Sequence, residues 1–414
     1  MPVSVAHPKP PLAADPAAGF GLYVHWPYCD RICPYCDFNV RRARPIDAAE
    51  WRTAFRAEMA HWHARQGDAA QTLTSIYFGG GTPSLMPPDL IAGVIEDATD
   101  LWGLAAAAEI TVEANPTSAE VDRFAAFRAA GVNRLSLGIQ ALDDAALHFL
   151  GRNHTAAEAR RGLAHAAEVF ARTTFDLIYG RPGQTLAQWA TELRDALSIA
   201  AGHVSLYQLT IEDGTAFAAQ QRRGTLVAPD DSVLADLYDA TQEIMTTAGL
   251  PAYEVSNHAR PDDRGRHNLT YWRYGAYAGI GPGAHGRLIV DGRRLATESA
   301  RDPEAWRAAA LSGAPEVGQE TVLDAEACSD ELLVTGLRLT SGIPADRFAA
   351  VTGYALAHLA TAPRTQTLLS ENLIVLEPDR LAATGAGRRI LNAVTAEIAT
   401  DLNWLADRTT PARD

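Results

Sequence analysis

The feature that most constrains the fold is a regular alternation of short apolar runs with longer alanine-rich stretches between residues 20 and about 250. The runs have the length of buried strands, and the stretches between them have the length of helices. Strands that alternate with helices pair in parallel, because the helices serve as crossover connections. Repeated right-handed crossovers curl such a sheet into a full or partial barrel. The predicted strands are Leu22–Trp26, Ser75–Phe78, Glu109–Glu113, Arg134–Leu137, Phe175–Ile178 and Val204–Leu209.

The stretches between these strands complete a βα repeat. The chain has 414 residues, of which 47% are hydrophobic, so it can bury a sizeable core. The pattern therefore predicts an α/β fold, a partial (β/α)6 barrel over residues 20–290. The predicted helices lie near 47–66, 87–102, 118–130, 155–171, 185–200 and 230–249.

Glycine-rich and polar segments follow five of the predicted strands. In βα barrels the loops after the carboxyl ends of the strands form the active site. Their shared position predicts a single site at that end of the barrel. In chain order these segments are the cysteine loop at 29–36, Gly79-Gly80-Gly81-Thr82, Glu113-Ala114-Asn115-Pro116, Gly138-Ile139-Gln140, and Gly180 with Pro182-Gly183-Gln184.

Three of the four cysteines, Cys29, Cys33 and Cys36, form a CxxxCxxC cluster. Four-iron clusters normally take four cysteine ligands, but the remaining cysteine, Cys328, is almost 300 residues away. The spacing therefore predicts a cluster with one iron open to a substrate. A zinc site that includes His25, a disulfide with a spare thiol, and buried structural cysteines are the alternatives.

The remainder of the chain predicts covering loops and a second domain. Residues 251–290 are dense in glycine, histidine and aromatic residues, which predicts ordered loops over a site. Helical patterns at Asp302–Leu311 and Ser329–Leu337 precede a hairpin of Leu373–Leu376 with Arg380–Ala383 and a helix near 386–400. Residues 300–400 are thus expected to form a helical, winged-helix-like domain.

The net charge, the lack of a long apolar segment and the chain ends limit which partners and which location are expected. The 36 Lys and Arg against 50 Asp and Glu give a net charge of −14, which argues against nucleic-acid binding. No segment approaches the roughly 18 apolar residues of a membrane span, so no direct membrane insertion is expected. The first 18 residues hold five prolines and no apolar signal region. We expect a disordered tail over residues 1–19 and a cytoplasmic location.

The ordered motifs together resemble the radical S-adenosylmethionine (SAM) superfamily, in its coproporphyrinogen III oxidase-like branch. The resemblance covers nearly all of residues 20–400. Besides CxxxCxxC and the glycine run with Pro83, it rests on Tyr23-Val24-His25-Trp26-Pro27, Gly131 to Gln140 (GVNRLSLGIQ), Leu150-Gly151-Arg152-Asn153-His154 and Asp176-Leu177-Ile178-Tyr179-Gly180. It implies a barrel of the radical SAM type with a HemN-like C-terminal domain.

The resemblance also implies the cofactors and their ligands. Cys29, Cys33 and Cys36 would hold a [4Fe-4S] cluster whose open iron binds SAM, and electron transfer from the cluster would split the sulfonium bond. Alternatively, Glu113 and Arg152 form a structural ion pair, and Asp176 is a cap. By resemblance the SAM pocket contains Tyr23, Tyr35, Gly80, Gly81, Thr82, Glu113, Gln140, Arg152 and Asp176.

Two functional types share this branch. One is the oxygen-independent coproporphyrinogen III oxidase, a radical decarboxylase of heme synthesis with a CxxxCxxCxC motif and a longer segment before its cysteines. The other is the HemW-type heme chaperone, which binds heme and passes it to respiratory membrane enzymes. Here Phe38 stands where the oxidase has its additional cysteine, and 28 residues precede Cys29. The resemblance therefore favours a heme chaperone over an oxidase and leaves enzymatic activity open.

The heme ligand is less constrained by the sequence. Residues 267–272 read HNLTYW and fit the HNxxYW motif of the chaperone type. An imidazole can bind heme iron, and aromatic rings pack on porphyrin faces. His267 is therefore the candidate ligand, with His258 and His285 as alternatives.

Overall fold

The computed structural model describes residues 17–200, 202–312 and 318–409. The expectation for the tail concerns mainly residues 1–16, which lie outside the described residues. The strands are β1 (Phe20–Trp26), β2 (Tyr28–Cys29), β3 (Arg41–Arg42), β4 (Leu73–Gly80), β5 (Leu104–Ala114), β6 (Arg134–Gln140), β7 (Arg172–Tyr179), β8 (His203–Gln208), β9 (Asn257–Ala259), β10 (Ala276–Ile280), β11 (His285–Val290), β12 (Arg293–Ser299), β13 (Gly318–Val322), β14 (Ile343–Pro344), β15 (Ile374–Glu377) and β16 (Arg380–Ala383).

The helices alternate with these strands through the first two thirds of the chain. Short 3-10 turns lie at Gly67–Ala69, Pro83–Leu85 and Pro261–Asp263. The α-helices are α1 (Ala48–Gln66), α2 (Pro88–Trp102), α3 (Ser118–Val121), α4 (Phe124–Ala129), α5 (Asp144–Phe149), α6 (Ala156–Val169), α7 (Leu186–Leu197), α8 (Ala216–Arg222), α9 (Asp231–Thr247), α10 (Arg266–Trp272), α11 (Pro303–Ser312), α12 (Ala325–Gly336), α13 (Ala345–Thr352), α14 (Leu356–Leu359), α15 (Pro363–Ser370), α16 (Gly385–Arg389) and α17 (Leu391–Thr409).

The described strands form one large sheet and two small ones. The large sheet has the order β13-β12-β11-β10-β1-β4-β5-β6-β7-β8-β9. Strands β1, β4, β5, β6, β7 and β8 pair in parallel in chain order, as six consecutive βα units require. The predicted partial (β/α)6 barrel is therefore confirmed.

Local sequence determines where the helices begin. Thr155 and Glu158 form a reciprocal capping box that starts α6, and Thr185 and Gln188 do the same for α7. The single helix predicted over 118–130 is instead two helices, α3 and α4. Between them, the Arg123 side chain donates hydrogen bonds to backbone carbonyls of the turn after β4.

The prediction of loops over residues 251–290 is corrected by the structure. The segment contains β9, α10, β10 and β11, and β10 pairs in parallel with β1. A side chain at Gly279 would clash with the backbone of His285, so this glycine permits close strand contact. Among the described residues, none of this segment lines the cavity at the carboxyl ends of the strands.

Helix α10, which belongs to this segment, fills the amino-terminal end of the barrel, opposite the cavity. Glu109 is buried and forms ion pairs with Arg134 at 3.1 Å and with Arg172 at 2.7 Å, at the first residues of β6 and β7. The same carboxylate accepts the backbone N–H of Arg266 at 2.8 Å. The amino-terminal end of the barrel is thus closed by paired charges and a helix.

The C-terminal residues form a second core. Leu332, Leu333, Phe348 and Ile398 are buried in it together with Cys328. The strands β14, β16 and β15 form a three-stranded sheet beside these helices, and β15 with β16 is the predicted hairpin. This is the helical, winged-helix-like C-terminal part that the sequence predicts. In the described parts of the chain, no helix has the length and apolar character needed to cross a bilayer.

Candidate functional site

The three clustered cysteines lie on a loop that β2 and β3 pin at its two ends. Tyr28 and Cys29 pair with Arg41 and Arg42 immediately after β1, so the loop closes over the carboxyl end of the barrel. Cys29 is buried, and the other two cysteines are half-buried. All three line one cavity of about 400 Å³, here called the cofactor cavity.

The glycine run after β4 forms the wall beside these thiols. The Gly81 N–H donates to the Trp26 carbonyl at 2.7 Å. A Cβ at Gly81 would lie 2.7 Å from the Tyr28 carbonyl and 3.0 Å from the Cys29 sulfur, so only glycine fits. Gly80 has a φ of 106°, a backbone conformation that residues with a side chain rarely adopt. The Thr82 hydroxyl hydrogen-bonds the Cys29 sulfur.

Two carboxyl groups face the same cavity from β5 and β7. Burial raises the pKa of Glu113 to about 7, and the nearby Asp176 raises it further. Burial likewise raises the pKa of Asp176 to about 6. The Tyr77 hydroxyl donates to Glu113 at 2.7 Å, and the Gly80 N–H also binds this carboxyl group. Carboxyl groups held in this way favour a positively charged ligand, because it would offset their desolvation.

Arg152 joins the cysteine loop to the strand ends. Its Nη1 donates to the Cys33 sulfur at 3.5 Å, and its Nη2 donates to the Gly138 carbonyl at 2.8 Å. The Arg152 Nε is buried without a hydrogen-bond partner in the described part of the chain. Beside it, Gln140 has a φ of 71°, an uncommon conformation for a non-glycine residue and one that is enriched at functional sites.

Most of the predicted site residues therefore meet in one place. Tyr35 lines the cavity too, and burial raises the pKa of its hydroxyl. Glu113 and Arg152 do not form the ion pair considered from the sequence, since Arg152 binds Cys33 and backbone instead. The residues brought together are Cys29, Cys33, Tyr35, Cys36, Gly80, Gly81, Thr82, Glu113, Gln140, Arg152 and Asp176.

Two predicted site residues, Tyr23 and His267, are not among those that line the cavity. The Tyr23 ring packs beneath Gly79, and its hydroxyl lies 3.1 Å from His25 Nδ1. Tyr23 therefore supports the glycine wall from below. The His267 ring stacks on Tyr77 at 5.0 Å, within the amino-terminal half of the barrel.

Both ring nitrogens of His267 already have partners. Nδ1 lies 2.9 Å from the Ser75 hydroxyl, and Nε2 hydrogen-bonds the Tyr271 hydroxyl. The side chain is buried, and burial lowers its pKa to about 3. In this conformation His267 has no nitrogen lone pair available to bind iron.

Sequence reasoning placed Asn115 in a segment of the predicted site without giving it a role, and it missed Glu120. The Asn115 side chain accepts a hydrogen bond from Arg152 Nη2. The buried Glu120 carboxylate accepts from the Asn115 N–H at 2.7 Å and from its Nδ2 at 3.2 Å. This network fixes Arg152 against Cys33. The sequence signal for Asn115 is its position before Pro116 at the end of a predicted strand. The sequence alone does not connect Asn115 to Glu120.

The donor set fits an iron–sulfur cluster. Burial raises the pKa of the Cys29 thiol to about 11, so a bound cation is needed to make it a thiolate. The zinc alternative requires His25, but His25 Nε2 lies 3.0 Å from the Asn39 carbonyl and its Nδ1 contacts Tyr23. Among the described residues, no three His, Cys, Asp or Glu side chains are grouped closely enough for one metal ion. A cluster does not need that grouping, since its ligands bind separate irons.

Two family models match the chain. The one described as "Radical SAM superfamily" matches residues 23–196, and the one described as "HemN C-terminal domain" matches residues 323–390. The first range covers β1 to α7 with the cysteine loop, and the second covers most of the C-terminal core. Fold and cavity thus define a radical SAM protein.

Relatives narrow the assignment. "Heme chaperone HemW" of Mycobacterium tuberculosis is 38% identical over 391 residues, covering 93% of this chain and 96% of that protein. "Heme chaperone HemW" of Escherichia coli is 34% identical, covering 90% and 96%. The bovine "Radical S-adenosyl methionine domain-containing protein 1, mitochondrial" is 42% identical, covering 78% and 74%. The chain belongs to the radical SAM superfamily and, within it, to the HemW-like proteins.

A solved structure shares the fold. The chain resembles the structure titled "Coproporphyrinogen III oxidase (HemN) from Escherichia coli is a Radical SAM enzyme" with a TM-score of 0.72. The alignment covers 96% of this chain and 91% of that one at 21% identity. This likeness establishes a common architecture. Family membership in turn implies a [4Fe-4S] cluster and SAM as cofactors.

Proposed function

We propose that this protein is a heme chaperone that binds heme and passes it to respiratory membrane enzymes. The observation that carries the proposal is Phe38 at the cofactor cavity. Its side chain is 59% exposed and lines the cavity at the position where the oxidases of this branch have a further cysteine. Relatives named as heme chaperones over nearly the whole chain support the same interpretation.

The cofactor cavity would hold the cluster and SAM. Cys29, Cys33 and Cys36 would bind three irons, which leaves the fourth iron open. When bound, the cluster and SAM supply one-electron radical chemistry. The N–H groups of Gly80, Gly81 and Thr82 already bind Glu113 and the Trp26 and Tyr28 carbonyls, so these residues would offer their carbonyl oxygens to the amine at the methionine end of SAM.

The charged groups of the cavity would orient SAM. Glu113 and Asp176 would accept hydrogen bonds from the amine or the ribose, and the Arg152 guanidinium would bind the carboxylate. The Arg152 Nε, which lacks a partner among the described residues, is suited to this contact. Gln140 would donate and accept hydrogen bonds in the same pocket, and Tyr35 would pack beside the cluster.

His267 as the axial heme ligand stays a prediction. Its ligation of iron would require the loss of the hydrogen bond to Ser75 or to Tyr271. It would also require heme to enter the buried amino-terminal half of the barrel. The contacts of His267 instead favour a role in holding α10 against β4.

An oxygen-independent coproporphyrinogen III oxidase is the second candidate. The gathering of most of the predicted cofactor-binding residues around the cavity favours it, because a carrier does not by itself need radical chemistry. Phe38 argues against it, since the oxidases of this branch have a cysteine at this position and phenylalanine cannot supply a thiol.

One experiment separates the two candidates. The anaerobically reconstituted protein is incubated with coproporphyrinogen III, SAM and a reductant, and the porphyrin products are analysed. In parallel, heme-loaded protein is mixed with membranes that contain a heme-free respiratory oxidase. We expect heme to move to the acceptor and coproporphyrinogen III to remain unchanged. Protoporphyrinogen formation without heme transfer would contradict the chaperone assignment.

A further inference from the structure

A second cavity lies against the other side of the cysteine loop. It has a volume of about 460 Å³, within the usual range for small-molecule sites. It shares Arg31, Ile32, Cys33, Cys36 and Gly151 with the cofactor cavity, so the cysteine loop is a common wall. None of the residues implied to hold SAM lines this second cavity. This second cavity, here called the outer cavity, is therefore left for another ligand.

Aromatic side chains form one wall of the outer cavity. Phe149 and Phe217 stack with their ring centroids 4.8 Å apart and their planes 28° from parallel. Ile32, which is 44% exposed, adds apolar surface on the opposite loop. Phe217 is 2% exposed and supports the half-buried Phe149, whose accessible surface suits contact with a planar macrocycle.

An imidazole and a guanidinium complete the cavity. His148 lies in the last turn of α5 and is exposed, and within the described residues its ring makes no hydrogen bond or ion pair. An exposed imidazole without another partner can bind heme iron. Arg31 is also exposed at the cavity and is suited to bind carboxylates.

The other histidines considered as heme ligands are less suitable. His267 has both ring nitrogens bonded. His258 is 1% exposed, and its Nε2 lies 3.3 Å from the Gln242 side chain. His285 is exposed on β11 with Glu298 at 3.9 Å, and it lines neither cavity. Of these candidates and His148, only His148 borders a cavity with aromatic walls.

We propose that the outer cavity is the heme site and that His148 is an axial ligand of the iron. The macrocycle packs against Ile32 and the accessible part of Phe149, and Arg31 binds a propionate. This inference rests on the proposed heme-carrier function and adds a site to it. Exposed residues at the rim, including Gly214 and Ala216, leave the cavity open to solvent, so heme can leave without unfolding of the barrel.

The test is a heme titration of the cluster-loaded protein, followed by its Soret absorbance, with matched histidine variants. His148→Gly removes the ligand, and His285→Ala removes an exposed histidine outside both cavities. We expect His148→Gly to bind heme about tenfold more weakly or worse and to lose the Soret shift. Added imidazole should restore the shift in His148→Gly, because it replaces the missing ligand. His285→Ala should bind heme like the wild type.

The outcomes separate a failure of the heme-carrier function from a failure of the outer-cavity assignment. If the wild-type protein gives no Soret shift, the heme-carrier function fails and this inference fails with it. If the wild type binds heme and His148→Gly gives the same shift and affinity, only the outer-cavity assignment is overturned. Weakened binding in His148→Gly that imidazole does not rescue would also overturn the ligand role, because it would indicate a structural effect.

Discussion

Arg152 Nη1 lies 3.5 Å from the sulfur of Cys33 and places a positive charge beside a proposed cluster ligand. Asn115 and the Gly138 carbonyl hold the same guanidinium on its other amino group. Hydrogen bonds to ligand sulfurs stabilise the more negatively charged, reduced form of an iron–sulfur cluster. In the proposed site, this arrangement would link the binding of the SAM carboxylate to the electronic state of the cluster.

Removal of this charge should make the cluster harder to reduce. We expect Arg152→Gln to lower the midpoint potential by on the order of 100 mV, the one-electron equivalent of a charged hydrogen bond. The measurement is a redox titration followed by electron paramagnetic resonance. Arg152→Lys keeps the charge and should show a smaller shift. Equal potentials for wild type and Arg152→Gln would refute the electrostatic role.

The glycine wall should not tolerate a methyl group. We expect Gly81→Ala to lose most of its bound iron, because the new Cβ would press on the Tyr28 carbonyl and the Cys29 sulfur. Iron and sulfide content per chain is the measurement. Gly385→Ala is the matched control, since a Cβ at Gly385 meets no atom within 4 Å. Full iron content in Gly81→Ala would show that the wall is less rigid than its contacts indicate.

The affinity for SAM should increase as the pH rises through about 7. SAM carries a net positive charge, and Glu113, whose pKa burial raises to about 7, must ionise to bind it. Each pH unit below that value should weaken binding by up to about tenfold. Glu113→Gln should bind SAM more weakly at pH 8 and with a flatter profile. Calorimetric titrations from pH 6 to pH 8 provide the measurement, and a flat wild-type profile would contradict the assignment.

The same pKa has a consequence for the stability of the protein without SAM. Because the folded-state pKa of Glu113 lies above the ordinary value of 4.5, its stabilising contribution is complete below pH 4.5 and is lost as the pH rises through about 7. Glu113→Gln should therefore unfold at a higher temperature than the wild type at pH 8, and the difference should shrink at pH 5. A lower unfolding temperature for Glu113→Gln than for the wild type at pH 8 would contradict this role of Glu113.

His267 should be a determinant of stability. His267→Ala would leave a cavity beside Tyr77 and remove two hydrogen bonds, which should lower the free energy of unfolding by about 3 kcal/mol. His285→Ala, at an exposed site, should change it little. Denaturant unfolding of both variants is the measurement. An unchanged stability in His267→Ala, together with lost heme binding, would restore His267 as the heme ligand.

The barrel was predictable because its strands carry a strong local signal. The apolar runs identified the six consecutive parallel strands of the βα units, although not β10, and the structure extends them by a few residues at one or both ends in most cases. The meeting of Cys33, Gly81 and Arg152 at one cavity followed from a rule of topology, since the carboxyl ends of parallel strands share one edge. Neither inference required side-chain detail.

The parts that the sequence did not reveal depend on long-range contacts. Glycines in β10 and β11 resemble a loop in sequence, although Gly279 and Gly286 serve close strand pairing. The burial of His267 depends on Ser75, which lies 192 positions earlier in the chain. The contact of Glu120 with Asn115 also depends on how the short helix α3 packs, and no periodic pattern in the sequence predicts that packing.

The most direct test of the central claim is electron paramagnetic resonance of the anaerobically reconstituted, reduced protein with and without SAM. We predict a [4Fe-4S] signal that changes when SAM is added and that is absent in Cys33→Ala. A change with SAM would show that SAM binds at the open iron. A colourless, zinc-loaded wild-type protein, or a cluster signal that SAM leaves unchanged, would contradict the account.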